Sequence, residues 1–510
     1  MQEIAIKSWL AGKTIFVTGA TGFLGKVLIE KVLRDCENVS RLYILIRARN
    51  ESDLSNRFSV FKENIIFNRI KETNPKLMDK LYPVRGDLAE LSLGLSENDR
   101  NRLMSEVNVI LHSGASVKFE EPIEDAVKMN VRGTREMLTL AKGMSNLQSF
   151  VYVSTAYSNC NLNHIEEKVY PMAFDPKHAI ELCEQGQTKA IETTVLRAFP
   201  NTYIFSKNLA EQLVFDSRND LPLCIVRPSI ISPSCSDPYP GWVDSNNGPM
   251  GFLIGAGSGF IRTGHGNRFC LMDLLPVDYA ANGIIAAAVN IGQNKVLQCP
   301  VYNLATGGDS PISCHQLIEK NPFSKMLWYP GGNLYTNFYV YLITFVLFQL
   351  IPAFFCDILL YLVKRRTWFV SKQLKTYNKL RLFSFFIRRG WRWDTDNTKA
   401  LHQRLKLEER YFISKKTTNL IYTLYFRNWH YGTRKYLLNI EEKATKADKR
   451  NLTILYYLDL TVKTIFWSLL NDFCFLFKTP FLYSIFLYSF SLSFLQTFKI
   501  LMKNYHIING

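Results

Sequence analysis

The chain has 510 residues, 47% of them hydrophobic and 13% aromatic, with a formal charge of +17. That length supports two or three domains around a large core. The ten cysteines are scattered without a C-x-x-C or a Cys/His cluster, which argues against a disulfide scaffold or a zinc site and for a reducing compartment.

The start, Met1 to Lys7, has no apolar core of signal-peptide length, so the N-terminal part is expected to stay cytosolic. Lys13 to Val17 is an apolar, β-branched run that reads as a buried strand. Gly19, Gly22 and Gly25 follow at G-x-x-G-x-x-G spacing, and Leu24, Val27, Leu28, Val32 and Leu33 then recur with helical period. A strand that turns through glycines into a helix aims backbone N–H groups and a positive helix end at one spot, which suits a pyrophosphate. Further strands are expected at Arg41–Ile46, Tyr82–Arg85, Val107–Leu111, Phe150–Val153, Leu223–Val226 and Val301–Leu304. Helices are expected between them, at about Ile123–Lys142 (carrying Asn130 and Gly133) and Asn201–Ser217. This alternation predicts an α/β fold: a Rossmann-type, doubly wound parallel sheet that binds ligands at the carboxyl ends of its strands.

Two positions bear on the cofactor. NAD enzymes place a carboxylate about 20 residues beyond the glycines for the adenosine 2′-hydroxyl. Here that strand end carries Arg47, with Arg49 two residues on. A cation there suits a 2′-phosphate and favours NADPH, and Asp87 would accept from the adenine amino group. The chemistry is assigned to Tyr203 and Lys207, which share a helix face four residues apart. A neighbouring cation is expected to lower the phenol pKa and make the tyrosine a proton donor to a reduced carbonyl. Tyr411/Lys415 and Tyr431/Lys435 repeat the spacing, but only Tyr203 lies within the alternating region, downstream of a strand end that offers Ser154 and Thr155.

Gly241 to Gly251 is a dense turn segment expected to form an ordered loop near the active-site face, before a glycine-rich helix start at Gly255 to Gly259. Asp278 is expected in the first turn of another helix. The alternation ends between Pro311 and Pro330. The expected organisation is a catalytic domain over residues 1–330, a helical domain over 331–450 and a hydrophobic anchor over 451–510. Phe338–Cys356 and Pro480–Phe498 are uncharged stretches of nineteen residues. The second is the favoured membrane span, while the first could equally be a buried or in-plane helix. Trp391–Glu409 reads as polar and helical, and Tyr422–Leu438 as an aromatic, basic packed helix. Basic residues crowd this last third beside the apolar runs (Lys364–Arg366, Arg388–Arg389, Lys415–Lys416), which favours a membrane surface or an acidic substrate over nucleic acid.

With these residues in place, the chain resembles an alcohol-forming fatty acyl-CoA reductase of the extended short-chain dehydrogenase/reductase group. The resemblance rests on Thr18–Gly25, Leu45–Arg47, Gly86–Leu88, Tyr152–Tyr157, Tyr203–Lys207, Val226–Ser229, the Pro240–Pro249 loop, Leu275–Asp278, Trp393–Thr398 and Tyr425–Leu438. His112-Ser-Gly-Ala-Ser116 departs from the more alanine-rich run expected there, although Gly114 should still fit beside the cofactor. The resemblance implies two successive reductions of a long-chain acyl-CoA by NADPH, through an aldehyde, with release of CoA. Tyr203 would donate the proton and Lys207 would hold the nicotinamide ribose. Thr155 would hydrogen-bond the carbonyl, with Ser154 as the alternative. The cofactor-binding set is Thr18, Gly19, Thr21, Gly22, Phe23, Leu24, Gly25, Arg47, Asp87, Leu88, Gly114, Asn130 and Pro228, with no metal. Membrane lipid is the expected partner, at an endoplasmic reticulum or peroxisomal membrane with the catalytic domain facing the cytosol. The competing reading is a membrane-anchored hydroxysteroid dehydrogenase-like oxidoreductase.

Overall fold

The computed structural model describes residues 3–172, 174–189, 191, 199–295, 298–305, 312–313, 326–412, 419–440 and 445–477. Seven strands form one parallel sheet: β1 (Thr14–Thr18), β2 (Arg41–Ile46), β3 (Leu81–Arg85), β4 (Val109–His112), β5 (Ser149–Val153), β6 (Leu223–Pro228) and β7 (Val301–Leu304). Their order is β7-β6-β5-β4-β1-β2-β3, so the strand order reverses between β1 and β4. Each expected strand is present, Arg41–Ile46 and Val301–Leu304 with the expected ends and the others within two residues of theirs. These runs were legible because both faces of the sheet are covered, which makes the strands nearly continuous apolar segments.

Side chains alternate across each strand and feed two cores. Ile15, Val17, Leu42 and Ile44 pack with helices α1 (Phe23–Asp35) and, later in the chain, α4 (Val277–Asn294). Phe16, Tyr43 and Ile110 point the other way, against α2 (Gly133–Lys142) and α3 (Thr202–Asp216). The helix expected from Ile123 is Ile123–Ala126 followed by a π turn, Val127–Arg132, that leads into α2. Pro249–Gly257 is helical, so the glycines at 255 and 257 close that helix rather than start one.

The C-terminal part is stitched onto the sheet. Arg392–Trp393 pairs in parallel with His164–Ile165, and the stretch read as helical from Trp391 holds an α-helix at Asp396–Arg404 and the start of a 3-10 helix at Leu407–Phe412. Glu409 accepts from the Ile6 and Lys7 N–H groups at 2.7 and 2.9 Å. Asn419–Gly432 is the aromatic, basic helix, and it buries Trp429. Its close approach explains a glycine: Gly241 has φ +76°, and a Cβ there would lie 1.9 Å from the Asn428 carbonyl oxygen. Phe338–Leu362 is one continuous apolar helix of 25 residues, the one helix among the described residues long and apolar enough to cross a membrane. Pro480–Phe498 lies outside the described residues.

Candidate active site

The glycine loop joins β1 to α1 at the point where the strand order reverses, which is where open α/β sheets bind ligands. Gly19 has φ +70°, and a Cβ on it would sit 2.7 Å from the Gly114 nitrogen. A Cβ on Gly25 would lie 2.2 Å from the Gly19 carbonyl oxygen. The loop after β1 and the loop after β4 are thus pressed together with no room for side chains. Thr21 and Gly22 are exposed, and Phe23 and Leu24 are half-buried at the start of α1. Gly22 caps α1 without a side-chain hydrogen bond, and the first turn holds no acidic residue, which is the arrangement a helix end needs to receive an anion. Gly19→Ala should therefore add about 1–2 kcal/mol of backbone strain and displace the Gly114 loop. A fluorescence titration should show weakened dinucleotide binding.

The loop from Pro240 docks on this helix end, as the sequence suggested. Phe23 stacks on Trp242 with ring centroids 5.4 Å apart, and Lys26 pairs with Asp244. Asp278 lies in the first turn of α4, where its carboxylate accepts from the N–H groups of Cys235, Ser236 and Asp237 and fixes the preceding segment.

Beyond the ends of β2 and β3 lies a cavity of about 520 Å³ bordered by Arg47, Arg49, Arg57, Arg85, Asp87 and Glu90, among others. Arg57 is engaged with Asp53, and Arg85 with Glu51. Arg47 is exposed at the strand end, as its position required. Leu88 is buried beneath the Gly114 loop, and Gly133 opens α2 where a Cβ would lie 2.6 Å from the Leu88 carbonyl oxygen.

A buried relay that sequence reasoning missed links these loops. The Gly114 N–H donates to Thr18 Oγ1 (3.1 Å), which lies 2.6 Å from His112 Nδ1; His112 Nε2 lies 3.2 Å from Thr134 Oγ1, which donates to the Asn130 carbonyl (2.6 Å). Each hydroxyl has one proton to give, so the chain runs in one direction and assigns His112 as the neutral Nε2–H tautomer. Burial agrees, pushing the His112 pKa down to about 3, with the Lys207 charge acting in the same direction. The Asn130 side chain accepts from Ser116 N and donates to the Ser116 carbonyl and to Ser206 Oγ. It straps the loop after β4 to α3. A histidine at the end of an otherwise apolar strand was the available signal.

Asn201 caps α3 by accepting from Ile204 N at 2.9 Å. Tyr203 and Lys207 project from this helix toward the end of β5. Thr155 lies close enough to the Tyr203 phenol to favour its ionised form, and Thr155 Oγ1 accepts from Tyr157 N. Ser154 Oγ is buried and has no hydrogen-bond partner among the described residues. The Pro228 carbonyl accepts from Ala156 N and so holds the Ser154–Thr155 turn.

The expected electrostatic effect of Lys207 on Tyr203 is corrected by the geometry. Burial raises the Tyr203 pKa to about 12, and the nearby Thr155 hydroxyl only moderates this. Lys207 Nζ instead donates to the Val153 carbonyl at 2.7 Å and to Tyr152 Oη at 3.3 Å. Its own pKa is driven down to about 7 by burial, opposed by Glu211 one turn along. Glu211 is held by Arg227 through two hydrogen bonds of 2.9 and 2.7 Å.

Facing Tyr203 is an aromatic wall. Phe119 stacks on Tyr203 at 5.9 Å and meets Phe383 and Phe386 at 5.4 and 5.8 Å. Tyr157 meets Trp391 and Trp393 edge-on. The C-terminal part thereby supplies one side of the site.

Comparison with known proteins agrees with this construction. An NAD-binding family model described as Male sterility protein matches residues 17–284, and a second model of the same description matches residues 348–440. Fatty acyl-CoA reductase 1 of Mus musculus is 36% identical, the alignment covering 88% of this chain and 89% of that protein. Fatty acyl-CoA reductase 2 of Homo sapiens is 32% identical over 91% and 93%. Among solved structures, the terminal reductase domain of the myxalamid biosynthetic pathway superposes with a TM-score of 0.58 at 23% identity, covering 85% of this chain and 93% of that one. The reductase domain of a nonribosomal peptide synthetase from Mycobacterium tuberculosis gives 0.56 at 19%, over 83% and 92%. These last two attest the fold alone. The sequence relatives decide against a hydroxysteroid dehydrogenase: the chain belongs to the fatty acyl-CoA reductases, alcohol-forming enzymes built on a nicotinamide-binding sheet.

Proposed function

We propose that this reductase converts a long-chain acyl-CoA to the primary alcohol with NADPH, releasing CoA and holding the aldehyde between the two reductions. The observation that carries this is the convergence of Thr155, Tyr203 and Lys207 at the end of β5, beside a glycine cradle with no space for side chains. The cradle fits a dinucleotide: Gly19, Gly22, Gly25 and the first turn of α1 would take the pyrophosphate, Asp87 and Leu88 the adenine, and Arg47 with Arg49 a 2′-phosphate. NADPH supplies the hydride.

The protein's own groups do the rest. Each reduction leaves an oxyanion on the former carbonyl carbon. After the first, expulsion of the CoA thiolate regenerates a carbonyl as the aldehyde. After the second, the oxyanion takes the Tyr203 proton. Thr155 stands beside the phenol, and the unpartnered Ser154 hydroxyl is a second donor for the carbonyl oxygen. Lys207, held by the Val153 carbonyl, would bind the ribose. The basic, apolar C-terminal third suits a membrane surface, so we place the enzyme on an endoplasmic reticulum or peroxisomal membrane with the catalytic part in the cytosol.

Purified protein with NADPH and palmitoyl-CoA should yield hexadecanol and free thiol, and recovery of neither would reject the reading. Arg47→Asp should shift preference toward NADH by about tenfold or more, since an Arg–phosphate hydrogen bond is charge-assisted. An unchanged ratio of kcat/KM for the two cofactors would reject the 2′-phosphate contact.

A further inference from the structure

The Phe338–Leu362 helix has two unlike faces. Tyr341, Phe345, Gln349 and Ala353, four residues apart, are buried against the protein. Ile343, Ile351, Phe354, Phe355, Leu359 and Leu362 are exposed. On the inward face, Gln349 Oε1 accepts from Arg262 N at 2.8 Å and its Nε2 donates to Thr263 Oγ1 at 2.9 Å. Arg262 in turn pairs with Asp459 at 2.6 Å. The far end is pinned as well: the Asp357 carboxylate accepts from the N–H groups of Trp368, Phe369 and Val370, which opens the returning helix Phe369–Ser384. That helix is fixed to the same part of the molecule by Gln373 Nε2 donating to the Phe260 carbonyl at 3.0 Å.

A bilayer-spanning helix cannot keep these attachments. Crossing would carry the strand at Thr263–His265 and the Arg262–Asp459 pair into hydrocarbon, where open backbone and charge are costly. Lying flat costs nothing of the kind, because only the apolar face meets lipid. The charge pattern fits the same orientation. No acidic residue occurs between Asp357 and Asp394, and Lys364, Arg365, Arg366, Lys372, Lys375 and Lys379 are all exposed on this hairpin. Trp368 is exposed among them, suited to the head-group level.

We propose that the Phe338–Leu362 helix is an in-plane docking surface for an anionic lipid leaflet, and that it seats the aromatic wall of the active site against that leaflet. The wall is continuous with the helix. Phe383 and Phe386, which contact Phe119 beside Tyr203, belong to or directly follow Phe369–Ser384. Leu380 is buried on that helix, and Tyr377 on it stacks on Tyr341 at 6.0 Å and meets Phe345 at 5.0 Å. An acyl chain dissolved in the leaflet therefore meets an apolar surface leading to the catalytic tyrosine, while the hairpin's lysines and arginines face the phosphates of head groups and of CoA. This route rests on the acyl-CoA reading, whereas the docking itself does not.

The test uses the full-length chain with Cys235, Cys314, Cys356 and Cys474 replaced by serine, the other six cysteines being buried, and one added cysteine at Ile343→Cys, Ile351→Cys or Leu359→Cys, labelled with an environment-sensitive fluorophore. With vesicles containing phosphatidylserine, all three should be quenched equally by shallow brominated lipids, and much less with pure phosphatidylcholine. Graded depth with Ile351 deepest means spanning, and absence of quenching means no docking; either overturns the proposal. Separately, Phe355→Glu combined with Leu359→Glu should lower kcat/KM for vesicle-borne palmitoyl-CoA about tenfold and leave soluble octanoyl-CoA unchanged. No change with either substrate, or equal loss with both, would overturn the delivery route. If the unmodified enzyme reduces neither substrate, the functional reading fails while the quenching result still decides the docking.

Discussion

Tyr203→Phe should lower kcat for acyl-CoA reduction by roughly 10²–10⁴-fold, the usual contribution of a positioned general acid. The substitution removes one hydroxyl and keeps the ring stacked on Phe119, so the fold and the aromatic wall stay in place. NADPH binding, followed by nicotinamide fluorescence, should stay within about twofold, because none of the glycine-loop groups is altered. The raised phenol pKa of about 12 is no obstacle. An alkoxide is a far stronger base than a phenolate, so the proton still moves downhill, and the phenol is fully protonated at any physiological pH. Turnover within tenfold of the parent enzyme would falsify the assignment of the acid.

The need for a depressed tyrosine pKa was an inference from i,i+4 spacing, and it shows where sequence reasoning runs out. Spacing fixes that Tyr203 and Lys207 share a helix face. It does not fix which acceptor a flexible lysine reaches. Here the carbonyl of Val153 at the end of β5 is near, and full burial then lowers the lysine rather than the tyrosine. The sheet was legible for the opposite reason. Strands covered on both faces are short apolar runs, and β1, β3 and β4 lead within two residues into a glycine. Loop contacts over long sequence separations carried no such local signal. Trp393 donates from Nε1 to the Ala156 carbonyl across more than two hundred residues, and Phe119 meets Phe383 over a similar gap. Asn130, expected beside the cofactor, also makes three side-chain hydrogen bonds to Ser116 and Ser206 that no local pattern signalled. The Phe338–Leu362 helix is a mixed case. Composition marked Phe338–Cys356 as apolar but left its orientation open, and it gave no sign that Gln349 bonds Arg262 N and Thr263 Oγ1 and so ties one face of the helix to protein.

Lys207→Met should lower kcat/KM by roughly 10²–10³-fold at pH 6.5, comparable to losing one oxyanion-stabilising donor. It should also change two pH dependences whose signs follow from one shift. The folded-state pKa of Lys207 is about 7, against 10.5 for an unperturbed lysine. The free enzyme carries the cation only below about 7, and kcat/KM reports the free enzyme. For the parent enzyme kcat/KM should therefore fall as pH rises through 7, and this limb should vanish in Lys207→Met. Lys207→Arg, charged at every accessible pH, should move the limb upward if it folds around the Val153 carbonyl. Stability runs the other way. Between pH 7 and 10.5 the unfolded chain binds a proton at this position that the folded chain does not, so stability rises with pH across that window. Denaturant midpoints measured in detergent at pH 7 and pH 9 should diverge for the parent protein and converge for Lys207→Met. Activity and stability moving in opposite directions over the same pH range is a signature that a merely structural lysine would not give. A limb that persists in Lys207→Met would assign the titration to another group and remove the cation from the mechanism.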